Sequence, residues 1–241
     1  MQEPADAQVT PGYEVRRSAR ARRSRLTITE NGLAVVVLPL RARDSEAADL
    51  VARHRGWIAR HVARIRARQT ALAGRLPLEG GRLVSIAGTP HRVVVTTALR
   101  GSRSEVRQEL GLLVVERAPA ERRSTAQLLE AWLRARARDA VAETLGRCAV
   151  EMGLEVHRLA IRDQRTRWGS ASRRGTLSFN WRLAMCPPEI LDYVVVHELA
   201  HLRHAGHGPR FWTLVRRHFA DSAGARRWLR DNHDALRHAL D

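Results

Sequence analysis

The sequence predicts an α+β protein in which a small β-rich N-terminal domain precedes a helical C-terminal domain built around one buried metal-binding helix. Three observations carry this prediction. Short apolar runs bounded by Gly, Pro and Asn recur through residues 26–117, the pattern of strands and turns. After Ala118-Pro119-Ala120 the apolar spacing lengthens to a helical period, opening on the capping box Ser124-Thr125-Ala126-Gln127. Finally, Val194-Val195-Val196-His197-Glu198-Leu199-Ala200-His201 sets two histidines one turn apart on an almost wholly apolar segment. These place a disordered tail at 1–14, a β-rich domain with one helical segment at 15–118 and the helical domain at 119–241.

In the first half, six arginines between Glu14 and Arg25 precede Leu26, Ile28, a turn at Asn31-Gly32 and the run Leu33–Pro39, which reads as a β-hairpin with a basic first strand. Its arginines form either a solvated face or an anion-binding edge. From Ser45 to about Ala73 the spacing of Leu50, Val51, Trp57, Ile58, Val62 and Ile65 predicts a helix, with Trp57 as a core anchor. Strands follow at 82–87, 91–97 and 110–117.

In the second half a long helix runs from the capping box to Met152 and stops at Gly153, with Cys148 in its packed stripe. A strand at 156–161 leads into a polar loop at 162–170. Thr176–Leu183 then alternates strictly, so that Leu177, Phe179, Trp181 and Leu183 face a core while Thr176, Ser178, Asn180 and Arg182 are free to meet a substrate. Pro187-Pro188-Glu189 opens the apolar helix, Gly208-Pro209 a following one, and a last helix spans about 223–239.

The chemistry concentrates at His197-Glu198-Leu199-Ala200-His201. Two neutral imidazoles four residues apart can share a Zn²⁺, while the intervening carboxylate faces the water at the open position. With 11 His and 15 Glu among 241 residues, chance supplies roughly 0.03 such motifs per chain. No Glu follows Glu198, so the third ligand is not a later glutamate. His207 is the nearest candidate, delivered if Gly206 takes the left-handed turn that ends the helix. The spacing matches the metzincin signature, but His204 stands where that signature has Gly and no Met follows His207.

Composition bounds the remainder. Two cysteines make no disulfide framework, the first 13 residues lack the apolar stretch of a signal peptide, and the longest apolar run, Leu33–Leu40, is far short of a membrane span. The expectation is a cytoplasmic protein with no membrane partner. The net charge of +17 is carried entirely by arginine. It suits an anionic partner such as nucleic acid, yet a lysine-free, alanine-rich chain is also what GC-rich coding produces, and aromatic residues for base stacking are few. Seven arginines against one acid, Asp163, fill 158–182, and Arg165, Arg167, Asn180 and Arg182 are the candidate substrate-binding residues.

With Arg167-Trp168-Gly169-Ser170, Asn180-Trp181-Arg182-Leu183, the motif at 197–201, His207 and Phe211-Trp212, the chain resembles the YgjP-like metallopeptidase family, relatives of the SprT-like proteases. The resemblance runs from about Val15 to Leu236. It implies a zincin-like metallohydrolase domain with ligands at His197, His201 and His207 and a catalytic glutamate at Glu198. Ala171 departs from the cysteine that usually follows the Arg-Trp-Gly-Ser run. The family also leaves the substrate open between a peptide and a nucleoside triphosphate of UTP type, since pyrophosphatase activity is attached to some members. A nucleic-acid-associated zinc protein without catalysis is the third reading; a closed four-ligand site is what it would need.

Overall fold

The computed structural model describes residues 12–29, 31–172 and 174–241, without the side chains at 68 and 71–73. The chain divides into two compact units, residues 1–75 and 76–241. The tail expected at 1–14 lies outside the described residues as far as residue 11, whereas Tyr13 and Glu14 already belong to a strand.

In the first unit the strands are β1 (Tyr13–Ser18), β2 (Arg25–Ile28) and β3 (Ala34–Pro39), followed by helices α1 (Ser45–Arg53) and α2 (Arg55–Ala73). The expected hairpin is present as β2 and β3, with Ile28 opposite Ala34 and Gly32 at φ +82° in the turn. The arginine-rich stretch adds a separate strand, because β1 pairs parallel with the other edge of β3. This makes β3, the most apolar of the three, the central strand, as burial on both faces requires. Its Ala34, Val36 and Leu38 pack with Ala47, Val51 and Ile58, and Trp57 covers that cluster from its margin. Arg17 ties the end of β1 by donating to the carbonyls of Leu40 and Ala42, both at 2.9 Å.

The second unit begins with a 3₁₀ turn at Leu78–Gly80 and a four-stranded sheet: β4 (Leu83–Ile86), β5 (Thr89–Thr97), β6 (Glu105–Glu109) and β7 (Leu112–Arg117) in the order β4-β5-β7-β6. Then come α3 (Thr125–Met152), β8 (Arg158–Arg162), β9 (Gly169–Ala171), β10 (Thr176–Asn180), a 3₁₀ turn at Trp181–Met185, α4 (Pro188–Arg203), α5 (Pro209–His218), α6 (Ser222–Asp231) and α7 (His233–Arg237). The joint expected at 118–120 is not where the units divide. Val84, Ile86, Val93, Leu113 and Val115 share one core with Leu129 and Leu133 of α3 and with α4, so the sheet at 83–117 belongs to the helical unit.

Local chemistry accounts for the long elements. Ser124 and Gln127 form the reciprocal capping box at the start of α3, and Gly153 closes it at φ 61°. Arg203, in the last turn of α4, donates to the carbonyls of Met152 and Gly153 at 3.1 and 3.2 Å, and so joins the C-terminal ends of the two helices. The other end of α4 rests on the β4–β5 turn. The amides of Ala87 and Gly88 donate to Ala184 and Met185, and a Cβ on Gly88 would meet Pro187 at 3.0 Å. Cys148 and Cys186 are buried and unpaired; burial raises both thiols above their ordinary pKa. Among the described residues no helix is long and apolar enough to cross a membrane.

Candidate metal centre and active site

Helix α4 is buried along most of its length, and its polar residues are therefore conspicuous. His197 and His201 are half-buried on one face, and Glu198 is only 6% exposed. The helix ends at His204, where φ −132° and ψ 105° return the chain to an extended course, and Gly208 then starts α5 with Pro209 in its first turn. The turn needs no left-handed Gly206, which is absent from the positive-φ glycines; the extended His204 does the turning instead. His207 nevertheless comes back to the helix. Its Nε2 lies 3.2 Å from Nε2 of His197, and one ring nitrogen from each of His197, His201 and His207 falls within 4.8 Å of the others.

A tetrahedral ion with metal–nitrogen bonds of about 2.0–2.1 Å has an N···N edge of roughly 3.3 Å, so the His197–His207 separation is a coordination spacing. The far side of each helical ring is engaged, as an oriented ligand requires. Nδ1 of His201 lies 3.0 Å from the carbonyl oxygen of His204, to which it donates, leaving the lone pair on Nε2. Nδ1 of His197 lies 3.3 Å from the hydroxyl of Tyr193, one turn earlier. Phe211, fully buried, floors the cluster with its ring centroid 4.6–5.0 Å from those of all three imidazoles, and Trp212 stacks on His207 at 5.8 Å.

Electrostatics follow from this enclosure. Burial, then the neighbouring imidazoles, presses the pKa of His197 down to about 3, and burial also lowers that of His207, so these two rings are held neutral as metal binding demands. Burial pushes Glu198 up to about 7 against the opposing charge of Arg167. Tyr193 is raised to about 12 by burial and stays a neutral phenol on the back of His197. The room for Glu198 comes from β9: a Cβ on Gly169 would stand 2.5 Å from Cγ and 2.6 Å from Oε1 of Glu198.

The candidate substrate residues separate into two groups. Arg165 and Arg167 are exposed, and of the two it is Arg167 whose charge reaches Glu198, while that of Arg165 is felt at Arg237. Asn180 and Arg182 do not line an open face. The strand expected through Leu183 stops at Asn180 because its Oδ1 accepts from the amide of Arg182 and winds the chain into the 3₁₀ turn. The Asn180 amide donates to the carbonyl of Gln164 at 2.8 Å, and Arg182 is buried, paired with Asp163 and stacked 4.2 Å from the ring of Trp181. Both hold the 162–168 loop in place. Nor can β10 pair with a substrate, since β8 and β9 occupy its two edges. The loop expected at 162–170 gives way at Gly169 to the edge strand β9.

Tyr193, one turn before His197, is a candidate oxyanion stabiliser on sequence spacing, and its hydroxyl lies instead against Nδ1 of His197; the glycine of the Arg-Trp-Gly-Ser run had a signal as a site of close approach that went unread. The role of Phe211 as the floor under three rings had none.

An α+β domain with convergent imidazoles on a buried helix and a carboxyl beside them belongs to the class of metal-dependent hydrolases. The YgjP-like metallopeptidase domain signature matches residues 22–232, and the chain belongs to that family. A metal ion is therefore implied, and the donor set fits one. No curated protein sequence matches. Among solved structures, the chain is similar over part of its length to the metallopeptidase zymogens abylysin of Pyrococcus abyssi (25% identity, 32% of this chain and 77% of that one, TM-score 0.30) and jannalysin of Methanocaldococcus jannaschii (23%, 33% and 81%, TM-score 0.31).

Proposed function

We propose that the chain is a zinc-dependent peptidase in which His197, His201 and His207 hold the ion and Glu198 is the general base. The observation that carries this is the approach of three imidazole nitrogens to within 4.8 Å beside a buried carboxyl whose pKa is about 7. Three neutral nitrogen donors with one position left open suit Zn²⁺. When bound there, zinc supplies Lewis acidity, lowering the pKa of a water towards ~7 and polarising the scissile carbonyl. Glu198 would accept the proton of the attacking water and return it to the departing amine, its place beside the three imidazoles suiting it to both duties. Tyr193 and the carbonyl of His204 keep the two helical rings turned to the ion.

An extended peptide has a ready partner in β9. In its antiparallel pairing Ser170 faces Ser178 and turns its main-chain groups to β10, so those of Gly169 and Ala171 are directed away from it, along the edge of the sheet. Hydrolysis of a UTP-type nucleotide on the same centre loses Arg182 as a phosphate ligand, because Asp163 already takes its charge. A non-catalytic, nucleic-acid-associated zinc site leaves Glu198 without a purpose.

The test is the zinc-loaded chain assayed on casein and peptides beside a panel of nucleoside triphosphates. Peptide cleavage is expected, with Glu198→Gln retaining zinc while kcat falls by about 10²–10⁴. Unchanged turnover in that variant removes Glu198 as the base, and pyrophosphate release without proteolysis replaces the peptidase reading with the nucleotide one.

A further inference from the structure

We infer that the centre favours peptides with acidic side chains beside the scissile bond, held by Arg167 and Arg226; this deepens the peptidase reading and rests on it. The two arginines approach the centre from different elements. Arg167 stands two residues before Gly169, whose main chain is the surface against which Glu198 packs, and so lies at one end of the strand that a peptide would extend. Arg226, on α6, sits with its guanidinium 4.8 Å over the ring of Trp212, which in turn stacks on His207 at 5.8 Å and lies 6.0 Å from His197. A guanidinium lying on an indole keeps its edge donors free, in the fork geometry that matches a carboxylate.

In a chain with so many arginines, charge alone decides nothing. What singles these two out is where they stand: Arg167 two residues from the glycine that packs against Glu198, and Arg226 over the indole that stacks on His207. Arg182 and Arg237 share Asp163, and Arg203 caps the end of α3. Arg147 takes Asp192, and Asp221 is spent capping α6. Among the described residues no ion pair is formed by Arg167 or Arg226, both of which are exposed, and Glu198 is the one carboxyl that packs beside the histidines. A cation beside the base and another over the indole, neither in an ion pair among the described residues, favour an anionic substrate and disfavour a basic one.

The experiment uses one peptide that the zinc-loaded full-length chain cleaves, varied to Glu, Gln or Lys at the positions flanking the cleaved bond. The Glu peptides are expected to show kcat/KM about tenfold above the Gln peptides, with Lys lowest. Arg167→Gln and Arg226→Gln should each shrink the Glu-to-Gln ratio several-fold, and Arg167→Glu combined with Arg226→Glu should invert the order. Arg138→Gln removes the same charge from the exposed side of α3 and should leave the ratio where it was. Fluorescence anisotropy of the same peptides on Glu198→Gln protein should give the same ranking of Kd without turnover. Equal treatment of Glu and Gln, a ratio that survives both substitutions, or an equal fall in Arg138→Gln would overturn the inference while leaving the peptidase reading intact. Failure to cleave any peptide or casein would instead sink that reading, and the inference with it.

Discussion

Two of the three imidazoles stand on α4 and the third on the bend at 204–208, and the two supports differ in almost every physical respect. The helix is buried, packed on α3 and pinned at both ends, so His197 and His201 are set before any ion arrives. The bend is exposed, and a Cβ at Gly206 or Gly208 would meet nothing within 4 Å. His207 rests on Phe211 of α5, with ring centroids 4.8 Å apart, and not on the helix that carries the other two. The centre is thus a rigid pair plus a delivered third arm, and substitutions should respect that division.

The largest contrast is expected between two glycines. Gly169→Ala drives a methyl into the Glu198 side chain and should lower kcat about 10²-fold, since small displacements of a reacting group cost that much. Gly206→Ala meets open space without a positive φ and should change activity and stability little, within about 0.5 kcal/mol. Steady-state kinetics on the two variants side by side decide whether the helix or the bend is the constrained partner.

Within the buried helix itself, two neighbouring groups should act in opposite senses in the pH dependence of the metal-free protein. The folded chain keeps Glu198 protonated to about pH 7, against an ordinary 4.5, so the stability this contributes is complete below pH 4.5 and disappears as pH rises through 7. Metal-free Glu198→Gln should therefore gain on the wild type by up to about 3 kcal/mol at pH 8, with the gain vanishing near pH 4.5. His197 acts in the opposite sense: its neutral ring contributes above pH 6.5, and that contribution fades as pH falls towards 3. Chemical denaturation across pH 4–8 measures both.

A smaller effect separates the ligands themselves. His201→Ala removes a half-buried ring that packs on Phe211 and bonds the His204 carbonyl, and should cost the metal-free fold about 1–2 kcal/mol. His207→Ala takes away an exposed ring and should cost under about 0.5 kcal/mol, while both variants lose zinc affinity. Equal losses of stability would show that the bend is as constrained as the helix.

Much of this centre could be read from the chain because its signals are local. The spacing of His197 and His201, the capping box at Ser124 and the proline starts of α4 and α5 each depend on a few consecutive residues. What escaped depends on pairing across distance. Alternation from Thr176 to Leu183 is compatible with a strand of eight residues, and only the bond from Asn180 to the amide of Arg182 ends it early. Arg182 and Arg167 are alike in composition and motif, yet one is neutralised by Asp163 and the other is not. The strand β1 and the division at residue 75 likewise follow from which apolar faces meet, a matter that periodicity within one segment does not determine.

Phe211 carries a last consequence. A ring with no solvent exposure, touching every imidazole, closes the underside of the cluster, so a chelator or a competing ion would have to reach the three nitrogens from the opposite, solvent-facing side.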